Sequence, residues 1–118
     1  MSKRIKTGGR AKGTPNKNTK ENFKEFDLQD YKESFGVYLI KTHDYYKIGM
    51  ASNLYARVSI LNMCNPYGVD VVHLIKTDNR DKAKELEFFL HEEYKAFRLH
   101  GEWFKLPSKA VEVIVKIT

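Results

Sequence analysis

Phe35-Gly36-Val37-Tyr38-Leu39-Ile40-Lys41, a polar Thr42-His43-Asp44, and then Tyr45-Tyr46-Lys47-Ile48-Gly49 form the stretch whose reading decides the fold. Aromatic and β-branched residues dominate both arms, and about three polar residues separate them, the pattern of a β-hairpin. Alternation places Tyr38 and Ile40 on one face of the first arm and Val37 and Leu39 on the other. On the second arm Tyr46 and Ile48 oppose Tyr45 and Lys47.

After the hairpin, Ser52 or Asn53 can cap a helix running to about Met63, with Leu54, Val58, Ile60 and Leu61 inward. Asn65-Pro66-Tyr67-Gly68 is a turn, and Val69 to Ile75 is a third strand, the most apolar of the three. Asp78 then opens the longest helix, from Asn79 to about Arg98. Spaced at ~100° per residue, Ala83, Leu86, Phe89, Leu90, Tyr94 and Phe97 share its inner face. His100-Gly101 ends it, Glu102 to Leu106 is a short extended or turn segment, and Pro107 or Ser108 starts a last helix with Val111, Ile114, Val115 and Ile117 inward. The expected architecture is α/β of the α+β kind. It is a small antiparallel three-stranded sheet flanked by helices, ββαβα plus a C-terminal helix, over residues 35–118.

Upstream the composition changes. Residues 1–20 hold Lys3, Arg4, Lys6, Arg10, Lys12, Lys17 and Lys20 and no acid, so the first twenty residues carry +7. With a net charge of +6 overall, residues 21–118 are left at −1. A cationic segment of this density gains affinity for a polyanion by releasing counterions from phosphates. It is too polar to bury a core and is expected to be disordered when free. Gly8-Gly9-Arg10-Ala11-Lys12-Gly13-Thr14-Pro15 resembles an AT-hook, in which glycines let the backbone lie in a narrow groove. Residues 21–34, with Phe23, Phe26, Leu28 and Tyr31 among charges, are expected to form a linker or short helix.

Several function classes drop out. The lone Cys64 excludes an internal disulfide and a Cys-based zinc cluster. No apolar run approaches the ~18–20 residues of a membrane span. The basic start lacks the hydrophobic stretch of a secretory signal. No phosphate-binding glycine loop and no Ser–His–Asp spacing is present, and paired carboxylates on neighbouring elements are not evident, which argues against two-metal chemistry. The expectation is a cytoplasmic protein (host-cell cytoplasm for a phage gene) with DNA as partner and no membrane.

The short motifs carry a resemblance. Gly36-Val37-Tyr38 and Lys47-Ile48-Gly49 on paired strands, Arg57 eight residues later, Glu87-Phe88-Phe89-Leu90-His91 in the long helix, and Gly101-Glu102-Trp103-Phe104 follow one another in order. Together they resemble the GIY-YIG nuclease superfamily, in its phage and bacterial branch with a Lys-Ile-Gly second signature and a Glu-Trp-Phe closing segment. The resemblance implies a DNA endonuclease that hydrolyses phosphodiesters with one divalent cation, Mg²⁺ or Mn²⁺. It implies catalytic roles for Tyr38, Lys47, Arg57 and Glu87, with Glu87 on the metal and Tyr46, Gly49 and Glu102 in support. Arg57 would hold a phosphate oxygen, Tyr38 would activate or orient water, and Lys47 would be either a base or a phosphate clamp. The helical wheel alone favours Glu93 over Glu87, since Glu93 lies nearer the centre of the apolar face. Two other functions fit the same residues: a DNA-binding module without turnover, and a phage-type inhibitor that binds another protein. A bare site of this kind also leaves room for a protein partner that supplies specificity.

Overall fold

Gly36 and Gly49 set the spacing of the sheet. In the computed structural model, which describes residues 27–118, a Cβ on Gly36 would run into the Ile75 carbonyl and lie 2.7 Å from Leu54 Cδ1. Glycine here lets β1 (Gly36–Thr42) pack tightly between β3 (Asp70–Lys76) and helix α1 (Leu54–Cys64). β1 pairs antiparallel with β2 (Tyr45–Ala51) in the register Tyr38 opposite Gly49 and Ile40 opposite Lys47. The turn between them uses His43 at φ 55°, the left-handed region in which a polar turn residue costs little.

The sheet has five strands, in the order β3-β1-β2-β5-β4, not three. The added pair is a small hairpin, β4 (Arg98–His100) and β5 (Trp103–Phe104), turned at Gly101 with φ 58°. Strands of three and two residues have no readable periodicity, and β5 is held between β4 and β2, where Tyr46 and Lys47 pair with Phe104 and Trp103. The hairpin also shortens the long helix. Helix α2 spans Arg80–Glu93, and a 3-10 turn at Lys95–Phe97 leads into β4. Asn79, not Asp78, is its cap, with its side chain accepting from the Lys82 N–H. Asn53 caps α1 in the same way through the Ala56 N–H. Helix α3 spans Ser108–Ile114.

Both faces of the sheet are covered. Val37, Leu39 and Ile48 pack with Ala83, Leu90, Ala110 and Ile114 from α2 and α3. Tyr38 and Ile40 pack on the other side with Leu54 and Val58 of α1. Several expected core positions lie outside: Ile60 and Phe89 are more than half exposed, and Phe97, beyond the end of α2, is also exposed. Glu93 is exposed, since the apolar face narrows to Ala83, Leu86 and Leu90 once the helix stops at residue 93. Trp103 is half-buried against Lys47 and is not a core plug. Among the described residues of the linker, Leu28–Tyr31 form a 3-10 turn capped by Asp27. The AT-hook-like tail with its seven cations, and linker residues 21–26, lie outside the described residues.

Candidate functional site

Because Gly49 faces Tyr38 across the β1–β2 ladder and has no side chain, the Tyr38 ring lies across it. A Cβ on Gly49 would come within 3.0 Å of Tyr38 Oη and Cζ and to 2.6 Å of Glu102 Oε1. Tyr38 is 2 % exposed, and its hydroxyl donates to Glu102 Oε1 at 3.4 Å. Lys47 shares that face, since it pairs with Ile40, and its Nζ lies 3.1 Å from the same carboxylate oxygen. The Trp103 ring, opposite Lys47 on β5, has its centroid 5.3 Å from that ammonium. Arg57, exposed on α1, is near enough to favour the ionised form of the Tyr38 hydroxyl. Burial and the Glu102 charge outweigh it and push that hydroxyl well above the ordinary tyrosine range.

The remaining residues are assembled by an interruption in the sheet. β5 ends after two pairs, so the outward backbone groups of β2 beyond Lys47 have no neighbouring strand. Buried backbone groups left unpaired cost of order 1–3 kcal/mol each, and other groups satisfy them here. The Ile48 N–H donates to the Glu102 carbonyl at 3.1 Å, His91 Nε2 donates to the Ile48 carbonyl at 2.9 Å, and the Met50 N–H donates to the Glu87 carboxylate. His91 also stands edge-on to Phe104, with ring centroids 5.0 Å apart. Glu87 and His91, one turn apart on α2, thus cover the exposed edge of β2 and bring the Glu87 carboxyl to Glu102.

The two carboxyls meet in a hydrogen-bonding contact. Burial raises the Glu87 pKa first and the Glu102 charge raises it further, while His91 and the Met50 amide pull it down without cancelling the rise. Paired carboxylates on neighbouring elements, not evident along the chain, are therefore present between α2 and the β4–β5 turn.

Tyr38, Lys47, Gly49, Glu87 and Glu102 come together in one place, with Arg57 close enough for its charge to act on Tyr38. Tyr46 does not join them. Its side chain lies on the opposite face of β2, near Lys41, whose Nζ is 5.5 Å from the Tyr46 ring, and against the core under α2 and α3. His91 belongs to the long-helix motif but was given no role, and its spacing of four from Glu87 was the available signal. Among the described residues no group of three or more His, Cys, Asp or Glu could hold a metal ion. Again among these residues, no helix is long and apolar enough to cross a membrane.

A family model, the T5orf172 domain, matches residues 35–118. The chain belongs to the T5orf172 domain family. This corrects the resemblance to the GIY-YIG nucleases, for T5orf172 is a distinct family and no GIY-YIG match accompanies it. The motifs behind that resemblance are at most five residues long, and the second signature has Lys47 in place of a tyrosine. T5orf172 domains are phage-type domains of a nuclease-like, DNA-binding kind. No curated protein and no solved structure matches the chain.

Proposed function

We propose that this T5orf172 domain is a DNA endonuclease, hydrolysing phosphodiester bonds with one divalent cation. The observation that carries the reading is the convergence of Tyr38, Lys47, Glu87 and Glu102 beside the interrupted stretch of β2, within reach of the Arg57 charge. A hydroxyl, two cations and two carboxylates are the groups that phosphoryl chemistry uses to bind, orient and stabilise.

The donor set fits a hard cation. Two carboxyls that share hydrogen-bonding contact and lack a third protein ligand suit Mg²⁺ or Mn²⁺, which keep several waters and take one or two carboxylates. Glu87 would hold it, with Glu102 beside it. When bound, such a cation stabilises charge developing on phosphate and leaving oxygen.

The chain's own groups divide the remaining work. Arg57 holds a non-bridging phosphate oxygen with its planar fork. Lys47, fixed by Glu102, clamps the phosphate as a point charge. The raised pKa of Tyr38 keeps its proton on the bond to Glu102, so its oxygen orients water as an acceptor and is a poor base at neutral pH. Residues 1–20, as an AT-hook-like cationic tail, add sequence-independent grip on DNA.

The same shift favours a second reading, a DNA-binding domain without turnover, because it leaves the general base unassigned. Supercoiled plasmid with Mg²⁺ or Mn²⁺ separates the two. Nicking by the full chain that Glu87→Gln abolishes supports the endonuclease. Intact plasmid with wild type and variant alike, while both retard DNA in gels, supports the binder.

A further inference from the structure

Helix α2 presents a second row of residues beside the site. Positions four apart on an α-helix are displaced by only about 40° around the axis, so they form a continuous ridge. Ala83, Glu87 and His91 are one such ridge, and Arg80, Lys84 and Phe88 are the next one toward solvent. All three outer residues are exposed, Phe88 at 67 %. Neither Arg80 nor Lys84 forms an ion pair with another described residue; the pairs there are Lys47–Glu102 and Lys95–Glu92. Asp81 is the one acid in the first turn of α2. Arg80, in the first turn of α2, occupies the end of a helix where the dipole disfavours cations. Two exposed cations in line with an exposed aromatic ring are the pair of features that a single-strand site combines.

We propose that the Arg80–Lys84–Phe88 ridge is a track for an unpaired DNA strand, with phosphates on Arg80 and Lys84 and a base stacked on Phe88. The inference rests on the endonuclease reading and adds a substrate class to it, DNA with a single-stranded segment at the site. The chemistry is that of non-specific single-strand grooves, in which cations follow the backbone and aromatic rings take bases. A base inside an intact duplex offers its face only to its neighbours in the stack. Phe88 therefore discriminates for unpaired strands, while the cations serve either form. The ridge lies one row from Glu87, so a strand held there passes the carboxyl pair.

The test is anisotropy titration of the full chain with a fluorescent single-stranded oligonucleotide and with the duplex of the same sequence, over a range of NaCl. Phe88→Ala should weaken single-strand binding roughly ten-fold or more, the size of one base–aromatic stack, and leave duplex affinity unchanged. Phe88→Trp should restore it. Arg80→Gln with Lys84→Gln should reduce the single-strand salt slope by about 1.4. Lys82→Gln with Lys109→Gln, an equal loss of charge on other surfaces, should leave it unchanged. Equal loss on single strand and duplex with Phe88→Ala, or equal slopes for the two charge pairs, would overturn the track. So would a Phe88→Ala chain that elutes as a smaller species than wild type, since the ridge would then be a self-association face. A failed track with plasmid nicking intact leaves the endonuclease reading standing. Single-strand preference without nicking keeps the track and removes the hydrolase.

Discussion

Gly49→Ala is the sharpest probe of the site's construction. The new methyl would enter a space already filled by Tyr38 Oη and Cζ and by Glu102 Oε1. None of these can withdraw freely, because Tyr38 is 2 % exposed and Glu102 is held by Lys47 at 3.1 Å. Forcing a methyl into a packed site costs about 1–3 kcal/mol. Displacing Tyr38 also weakens its 3.4 Å hydrogen bond to Glu102, and a net loss of about 0.5–1 kcal/mol suits a bond of that length. Alanine returns roughly 0.4–1 kcal/mol by restricting the unfolded chain. The balance is a destabilisation of about 2 kcal/mol, or a fall in Tm of roughly 8–16 °C for a domain of this size. Urea unfolding followed by circular dichroism reads it directly. The double variant Tyr38→Leu with Gly49→Ala should cost less than the two single variants together, because the smaller side chain opens the space. Additivity within about 0.5 kcal/mol, or a Gly49→Ala Tm equal to wild type, would refute the close approach of Tyr38 to Gly49.

Glu87→Gln should raise Tm near pH 7–8, since a carboxyl whose folded pKa is raised stabilises the fold in its protonated form and loses that contribution as pH rises through the folded value. Wild type and variant should converge under acid conditions, and a pH series of thermal melts checks the sign. Added Mg²⁺ should reverse the order at neutral pH, stabilising wild type by about 2.7 kcal/mol at one hundred times its dissociation constant and Glu87→Gln far less; equal shifts in both would remove Glu87 from the metal. Tyr38→Phe should keep the fold and lose nicking by roughly 10²-fold or more, as for a lost orienting group, and unchanged activity would confine Tyr38 to packing. Deleting residues 1–20, with their seven cations, should lower the duplex salt slope by as much as about 6, and an unchanged slope would show that the tail makes no phosphate contacts.

The elements that bury a regular face were legible in the sequence. The β1–β2 hairpin, α1 behind Asn53 and β3 each carry a repeating apolar pattern with a turn or cap at the end. The β4–β5 hairpin was not, for its two-residue strand is defined by pairing with β4 and with Tyr46 and Lys47 of β2. That omission carried the long helix past its real end and drew Phe97 and Glu93 inward on paper. In the candidate site, Tyr38, Lys47 and Glu87 followed from motifs, while the helical wheel preferred Glu93. The wheel ranks side chains against a core, but Glu87 and His91 answer to the unpaired edge of β2, a feature of tertiary pairing alone. The Glu87–Glu102 pair was out of reach for the same reason, since its partners lie on α2 and on a turn that a helix was expected to precede directly.

The interruption of the sheet beyond Lys47 also orders events in time. Ile48 receives its backbone partner from Glu102, and Tyr38 and Lys47 receive their side-chain partner from the same residue, 64 positions after Tyr38. Closing so long a loop is slow relative to forming a local hairpin. A chain emerging from synthesis can therefore build β1, β2, α1 and β3 around their own core while Tyr38 and Lys47 still lack their acceptor. The groups proposed to handle phosphate reach their folded arrangement only when this small hairpin docks, after the strands that carry Tyr38 and Lys47 can have formed.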